Sequence, residues 1–200
     1  MRVEHAGVRL VLDPGGFTAR EAVEGADVVL ITHEHADHYD AEHLRAVDAP
    51  IVTIDAVAQV IAEHAPDLSE RVRVVSPGDL LDLGVPVRVV GEKHAVIHPD
   101  YPRFDNSGYL LTCGDESVYH PGDALTPPGE AIDVLLAPIS APWLKMSEAV
   151  DFVREVAAPR SLGIHDKVYS DLALGMVDTH MANLIGELSF VRVPDGADLE

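Results

Sequence analysis

The run His33-Glu34-His35-Ala36-Asp37-His38 packs three imidazoles and an aspartate carboxylate into six consecutive residues. Imidazole nitrogen and carboxylate oxygen together suit a borderline divalent cation such as zinc, and also accommodate manganese or iron. Alternate positions just beyond a strand aim side chains the same way, so His33 and His35 are expected to take one metal, with Asp37 and His38 turned toward a second. Two cations roughly 3.5–4 Å apart can share a water, lower its pKa toward neutrality and hold it as hydroxide against a carbonyl or phosphorus centre. That chemistry is hydrolysis without a side-chain nucleophile.

A pair of metals needs more ligands than one loop provides. His94 follows Val87-Arg88-Val89-Val90-Gly91-Glu92-Lys93, Asp123 lies in Tyr119-His120-Pro121-Gly122-Asp123, and His165 ends Leu162-Gly163-Ile164. Each stands at or shortly after an expected strand, an arrangement that would gather them at one rim of a sheet structure. His98, four residues after His94, is an alternative ligand at that position. His120 reads as a pocket or supporting residue beside the site rather than a ligand. His5, His43, His64 and His180 read as ordinary surface or core histidines.

The elements that must carry these residues follow from periodicity and punctuation. Arg2-Val3-Glu4-His5 and Val8-Arg9-Leu10-Val11-Leu12 read as a hairpin ending at the Asp13-Pro14-Gly15-Gly16 turn. Asp27-Val28-Val29-Leu30-Ile31-Thr32 is continuously apolar, as a strand buried on both faces should be, and delivers the histidine run at its carboxyl end. Ile51-Val52-Thr53-Ile54 is expected as a strand, with Asp55 as the N-cap of a helix carrying Val57, Val60 and Ile61 on one face. Residues 72 to 90 read as a β-meander, and Gly114-Asp115 as the turn of a later hairpin. A strand at Asp133-Val134-Leu135-Leu136, a helix from Ser147 through Val156, a strand at Ser161-Leu162-Gly163-Ile164, a helix near Asp171 to Leu188 and a strand at Phe190-Val191-Arg192-Val193 complete the chain. Meander strands mixed with helices that separate single strands predict an α/β (α+β) fold, two face-to-face sheets with helices outside, in an αββα sandwich. Residues 1–200 are expected to form a single domain, a length that allows one substantial core.

Composition narrows the partners. Thirty-four acids against 14 bases give a formal charge of −20, which would repel a phosphate backbone, so nucleic acid is disfavoured. No apolar run approaches the roughly eighteen residues that a membrane crossing needs, and the N-terminus lacks a signal-peptide stretch. A soluble, cytoplasmic protein without membrane attachment is therefore expected. Cys113 is the single cysteine and reads as a small buried strand residue rather than a nucleophile.

The order of the segments resembles the metallo-β-lactamase superfamily: the Asp13 turn, the His-x-His-x-Asp-His run, a lone histidine, an aspartate after Gly122 and a late histidine. Within it the chain is similar to the lactonase-like branch, that of L-ascorbate-6-phosphate lactonase, through Leu12-Asp13-Pro14-Gly15, Leu30-Ile31-Thr32-His33 and His120-Pro121-Gly122-Asp123. The resemblance implies the four-layer sandwich, with one metal on His33, His35 and His94 and another on Asp37, His38 and His165. It further implies that Asp123 bridges them and that Asp13 supports the loop from behind. The implied activity is that of a dinuclear hydrolase with two divalent ions, zinc first and manganese or iron as alternatives. A metal-bridging hydroxide would cleave a small-molecule ester, lactone or phosphoester, and Asp37 would orient it and relay a proton to the leaving group. Tyr39, His98, Asp100, Tyr101, Arg103, Trp143 and Lys145 are candidate pocket residues, and Arg103, Lys145 and Lys167 could hold an anionic substrate group. Two other readings share the motif: an RNA phosphodiesterase of the transfer-RNA-processing kind, and a non-catalytic metal-binding protein on the same fold.

Overall fold

In the computed structural model, which describes residues 1–199, the chain opens as the expected hairpin, β1 (Arg2–His5) paired antiparallel with β2 (Val8–Leu12). β3 (Val28–Ile31) runs parallel to β2 and is buried at every position, as its unbroken apolar sequence requires. Beyond the histidine run a short helix, α1 (Ala41–Arg45), starts where the Asp40 side chain accepts from the amides of Glu42 and His43. Sequence periodicity did not reveal this helix. β4 (Ile51–Thr53), α2 (Asp55–His64) and β5 (Val72–Val74) then complete a five-stranded sheet in the order β1-β2-β3-β4-β5.

Two expectations are corrected here. Asp55 is the first helical residue, and Ile54 occupies the cap position without a side-chain bond. Val72–Val74 does not begin a meander: α2 returns the chain so that β5 pairs in parallel with β4 in the first sheet.

The second sheet begins with β6 (Leu80–Asp82), β7 (Pro86–Val90), β8 (Gly108–Cys113) and β9 (Glu116–His120), all antiparallel neighbours. It continues through β10 (Val134–Pro138), α3 (Met146–Val156), β11 (Arg160–Ile164), α4 (Asp171–Leu184) and β12 (Ser189–Val191), whose strands are parallel. The result is a seven-stranded sheet in the order β12-β11-β10-β9-β8-β7-β6. Cys113 closes β8 half-buried, and burial pushes its thiol pKa up, which leaves it a poor nucleophile.

Strand alternation sorts the side chains into layers. Leu10, Leu12, Leu30 and Val52 pack between the sheets against Leu81, Val87, Tyr109 and Leu111. On the outer face of the first sheet, Val11, Val29 and Ile31 meet Leu44, Val57 and Ile61 of the helices. On the outer face of the second, Tyr119, Leu135 and Ala137 meet Val150, Val153, Leu174 and Val177. The architecture is thus the αββα sandwich, and each buried aliphatic side chain contributes about 1.5–3 kcal/mol to holding it. The Tyr109 hydroxyl crosses the inter-sheet layer to donate to the Ile31 carbonyl at 2.8 Å, tying the strand before the histidine run to the second sheet.

Direction matters most for the site. β7 and β9 each run antiparallel to β8, and β10 and β11 are parallel to β9, so these four strands point the same way. Their carboxyl ends, which carry residues 94, 123 and 165, therefore share one rim. Among the described residues no helix is long and apolar enough to cross a membrane.

Candidate metal centre

The histidine run is clamped from behind by Asp13. The Asp13 Oδ1 accepts from the Thr32 amide at 2.8 Å, while Oδ2 accepts from the Thr32 hydroxyl and from His38 Nδ1, both at 2.7 Å. Burial alone would raise the Asp13 pKa, but the imidazoles of His38, His120 and His33 hold it well below the usual carboxylate range. Asp13 adopts a left-handed backbone conformation, φ 49°, that non-glycine residues rarely take. Gly15 lies so close behind the loop that a Cβ there would collide with the backbone of Asp37 and His38.

With Nδ1 of His38 spent on Asp13, its Nε2 turns to the front. The same division recurs around the site. His33 Nδ1 lies 3.0 Å from the Thr32 hydroxyl, His94 Nδ1 bonds the Ala95 carbonyl at 2.6 Å, and His165 Nδ1 bonds the Ser140 carbonyl. In each case the outer nitrogen is fixed as a donor, which leaves the inner nitrogen as the one that can bind a metal once it has lost any proton. His35 is the exception, presenting Nδ1 at 3.1 Å from His33 Nε2.

The three dispersed residues arrive as the strand directions require. Asp123 sits behind Gly122, whose φ is 65° and whose missing Cβ would stand 2.7 Å from Thr32 Cβ. Asn106, fully buried, receives the Asp123 amide on its Oδ1 at 3.0 Å and donates to the Pro121 carbonyl at 2.9 Å, which holds this turn in place. His165 follows β11 with φ 61°, a second strained position at the rim.

Two groups of potential ligands result: His33, His35, His94 and Asp123, and Asp37, His38 and His165, with the ligand atoms of each group within 4.8 Å of one another. Asp123 faces both groups, with Oδ1 3.1 Å from His38 Nε2 and Oδ2 3.4 Å from Nε2 of both His94 and His165. Asp37 Oδ2 lies 3.2 Å from His165 Nε2. Nε2 of His38, His94 and His165 and Oδ1 of Asp123 are nevertheless buried without an aligned hydrogen bond. An unsatisfied buried polar atom costs about 1–3 kcal/mol, so several converging on one point call for a shared partner. Divalent cations fit this donor set.

The charges match that fit. Burial works against protonation of His38, yet Asp13 and Asp123 push its pKa up to about 10, and the carboxylates of Asp123 and Asp37 do the same for His165. These protons balance the carboxylates in the metal-free protein. Asp37, beside His165, is held down to about 2, whereas burial drives His120 down to about 4 and keeps it neutral. His120 accepts from the Gly122 amide through Nδ1 and turns Nε2 toward Asp13 at 3.7 Å, which places it behind the site as expected.

Of the alternatives left open in the sequence, His94 is fully buried among the ligand atoms, while the His98 side chain is 59% exposed and faces Asp100. Tyr39 packs beneath the first sheet, and Asp100 and Tyr101 are exposed in the loop. The three cations considered for anion binding have protein partners. Arg103 donates to the His94 carbonyl at 2.8 Å, Lys145 pairs with Glu148, and Lys167 pairs with Asp195. Sequence reading passed over Thr32, Asn106 and Ser140. It also missed that the Trp143 indole donates to Asp123 Oδ2 at 2.9 Å. A threonine directly before the first histidine was the one local signal available; the others act across more than ten residues of separation.

Comparison with known proteins gives the family and the fold. Residues 1–165 match a family model described as Beta-lactamase superfamily domain. Protein Rv0786c of Mycobacterium tuberculosis is 42% identical over 181 residues, covering 86% of this chain and 82% of that protein. A UPF0173 metal-dependent hydrolase of Aeropyrum pernix is 27% identical over 207 aligned positions, covering 85% of this chain and 81% of that protein. Among solved structures, Igni18, a metallo hydrolase from Ignicoccus hospitalis, superposes with a TM-score of 0.73 at 18% identity over 98% of this chain and 91% of its own. At that identity the likeness establishes the fold alone.

Proposed function

The chain belongs to the beta-lactamase superfamily, and we propose that it is a metal-dependent hydrolase that uses two divalent ions to cleave a small-molecule ester, lactone or phosphoester. The observation that carries this reading is the convergence of buried imidazole Nε2 atoms around Asp123, each with its Nδ1 already anchored. His33, His35 and His94 would hold one ion and Asp37, His38 and His165 the other, with Asp123 between them. The donor set favours zinc, with manganese or iron as alternatives. Bound ions of this kind supply electrophilic polarisation and water activation near neutral pH.

The remaining roles belong to the chain. Asp13 and the backbone carbonyls of Ala95 and Ser140 fix tautomer and ring orientation, so the site is built before substrate arrives. Asp37 is the carboxylate a substrate can reach, with its side chain 28% exposed against 4% for Asp123. Its depressed pKa leaves it ionised at neutral pH, able to accept a hydrogen bond from a water and so orient it. The −20 charge favours a small substrate over a nucleic acid, whose phosphates the surface repels.

Chromogenic ester, lactone and phosphodiester probes test the reading. The protein should turn over at least one of them, lose that activity to a chelator and regain it on adding metal back. Asp37→Ala should lower kcat by about 10²–10⁴. Full activity of that variant at full metal content would remove Asp37 from the mechanism.

A further inference from the structure

A second feature of the rim is a cleft of about 540 Å³ that starts beside the centre and is walled by Ala95, Val96, Ile97, Leu125, Pro142 and Trp143. Its size lies in the range that accepts small molecules, and seven of its nine lining residues are apolar, although polar atoms share its exposed surface about equally with apolar ones. The charged pair Lys145 and Glu148 stands at one edge. A second cavity, near the start of α4, differs in kind: Lys167 and Arg192 in its wall are bound to Asp195 and Asp178.

This cleft is continuous with the ligand residues. Ala95 directly follows His94, and its amide donates to the Asp123 carbonyl at 2.8 Å. Leu125 lies two residues beyond Asp123 on the same loop. Trp143 belongs to both regions: its N–H holds Asp123 Oδ2 at 2.9 Å, its ring stands edge-on to His94 at a centroid distance of 5.7 Å, and its remaining surface lines the cleft. Val96 is 55% exposed and presents apolar surface to the cleft.

We propose that this cleft receives an apolar substituent of the substrate, with Trp143 as the wall shared between that substituent and the metal centre. The inference rests on the proposed hydrolase reading, since the reacting group must lie over the metal ligands for its substituent to reach the cleft. It selects, among esters, lactones and phosphoesters, those bearing an alkyl or aryl arm of several carbons.

Trp143 is the only tryptophan in the sequence, so intrinsic fluorescence reports directly on this wall. Straight-chain carboxylates from acetate to octanoate, product-like ligands with an anionic head and an apolar tail, should be titrated into zinc-loaded and metal-free protein. Affinity for the loaded protein should rise about threefold to fourfold per added methylene, the ratio set by transfer of one CH₂ out of water. Val96→Asp, at an exposed position that the fold tolerates, should bind zinc normally and flatten that dependence. Binding by calorimetry to Trp143→Phe should keep the chain-length trend, because the apolar ring surface remains. A flat series in the loaded wild-type protein would overturn the proposal, as would a rise equally steep in Val96→Asp or in metal-free protein. Failure to take up zinc, manganese or iron at all would instead defeat the hydrolase reading on which it rests.

Discussion

The two halves of the centre are built in opposite ways. His33, His35, Asp37 and His38 come from one loop, with Asp13 and Gly15 bracing it from behind. His94, Asp123 and His165 arrive singly, from the ends of different strands, and each is set by its own local contact: Ala95 for His94, Asn106 for Asp123, Ser140 for His165. The compact half is stiffened by a buried carboxylate that serves several donors at once. In the dispersed half, by contrast, errors in one loop need not spread to the next. Loss of a brace should therefore damage the first half as a unit and the second half piecemeal.

The largest effect is expected from Asp13→Ala. It leaves the Thr32 amide and His38 without their buried acceptor, and removing one member of a buried pair costs about 3–5 kcal/mol. Urea unfolding of the metal-free variant should show a loss of that order, and its metal content should fall at both positions. His94→Ala breaks only one spoke of the dispersed half, so it should lose about one ion per chain while its metal-free form unfolds in an ordinary two-state transition. A result in which His94→Ala and Asp13→Ala were equally damaging would erase the distinction between the halves.

A smaller and graded effect should come from pH. The pKa values of His38 and His165 are raised to about 10 from an ordinary 6.5, so in metal-free protein their contribution is complete below about pH 6.5 and is lost as pH rises through about 10. The urea midpoint of metal-free protein should fall across that window. Metal has to displace the same protons, so its affinity should rise over the same range, with proton release visible as buffer-dependent heat in calorimetry. The smallest effect is expected from His98→Ala, whose exposed side chain should leave metal content and stability unchanged.

This contrast also explains what was legible in the sequence. The six-residue run declared itself because its ligands are neighbours in the chain and follow an unmistakable buried strand. His94, Asp123 and His165 could be named because each stands at or shortly after a strand and fits the segment order of a known superfamily. What stayed hidden depends on packing at a distance. Nothing local distinguishes Asn106 from any loop asparagine, yet it holds the Asp123 turn across seventeen residues of separation. The Trp143 bond to Asp123 depends on how the loop after β10 folds over the rim. Likewise β5 looked like the start of a meander because its residues suit either sheet, and only the return path through α2 decides the partner. α1 is so short that its Asp40 cap outweighs any periodic signal.

The central claim is that both halves together form a centre for two metals, and the most direct measurement is elemental analysis of tag-free protein purified without chelator. About two zinc, manganese or iron ions per chain would agree with one ion on each ligand group. A count of about one that resisted reconstitution would contradict the second site on Asp37, His38 and His165, and no metal under any loading condition would contradict the hydrolase reading as a whole.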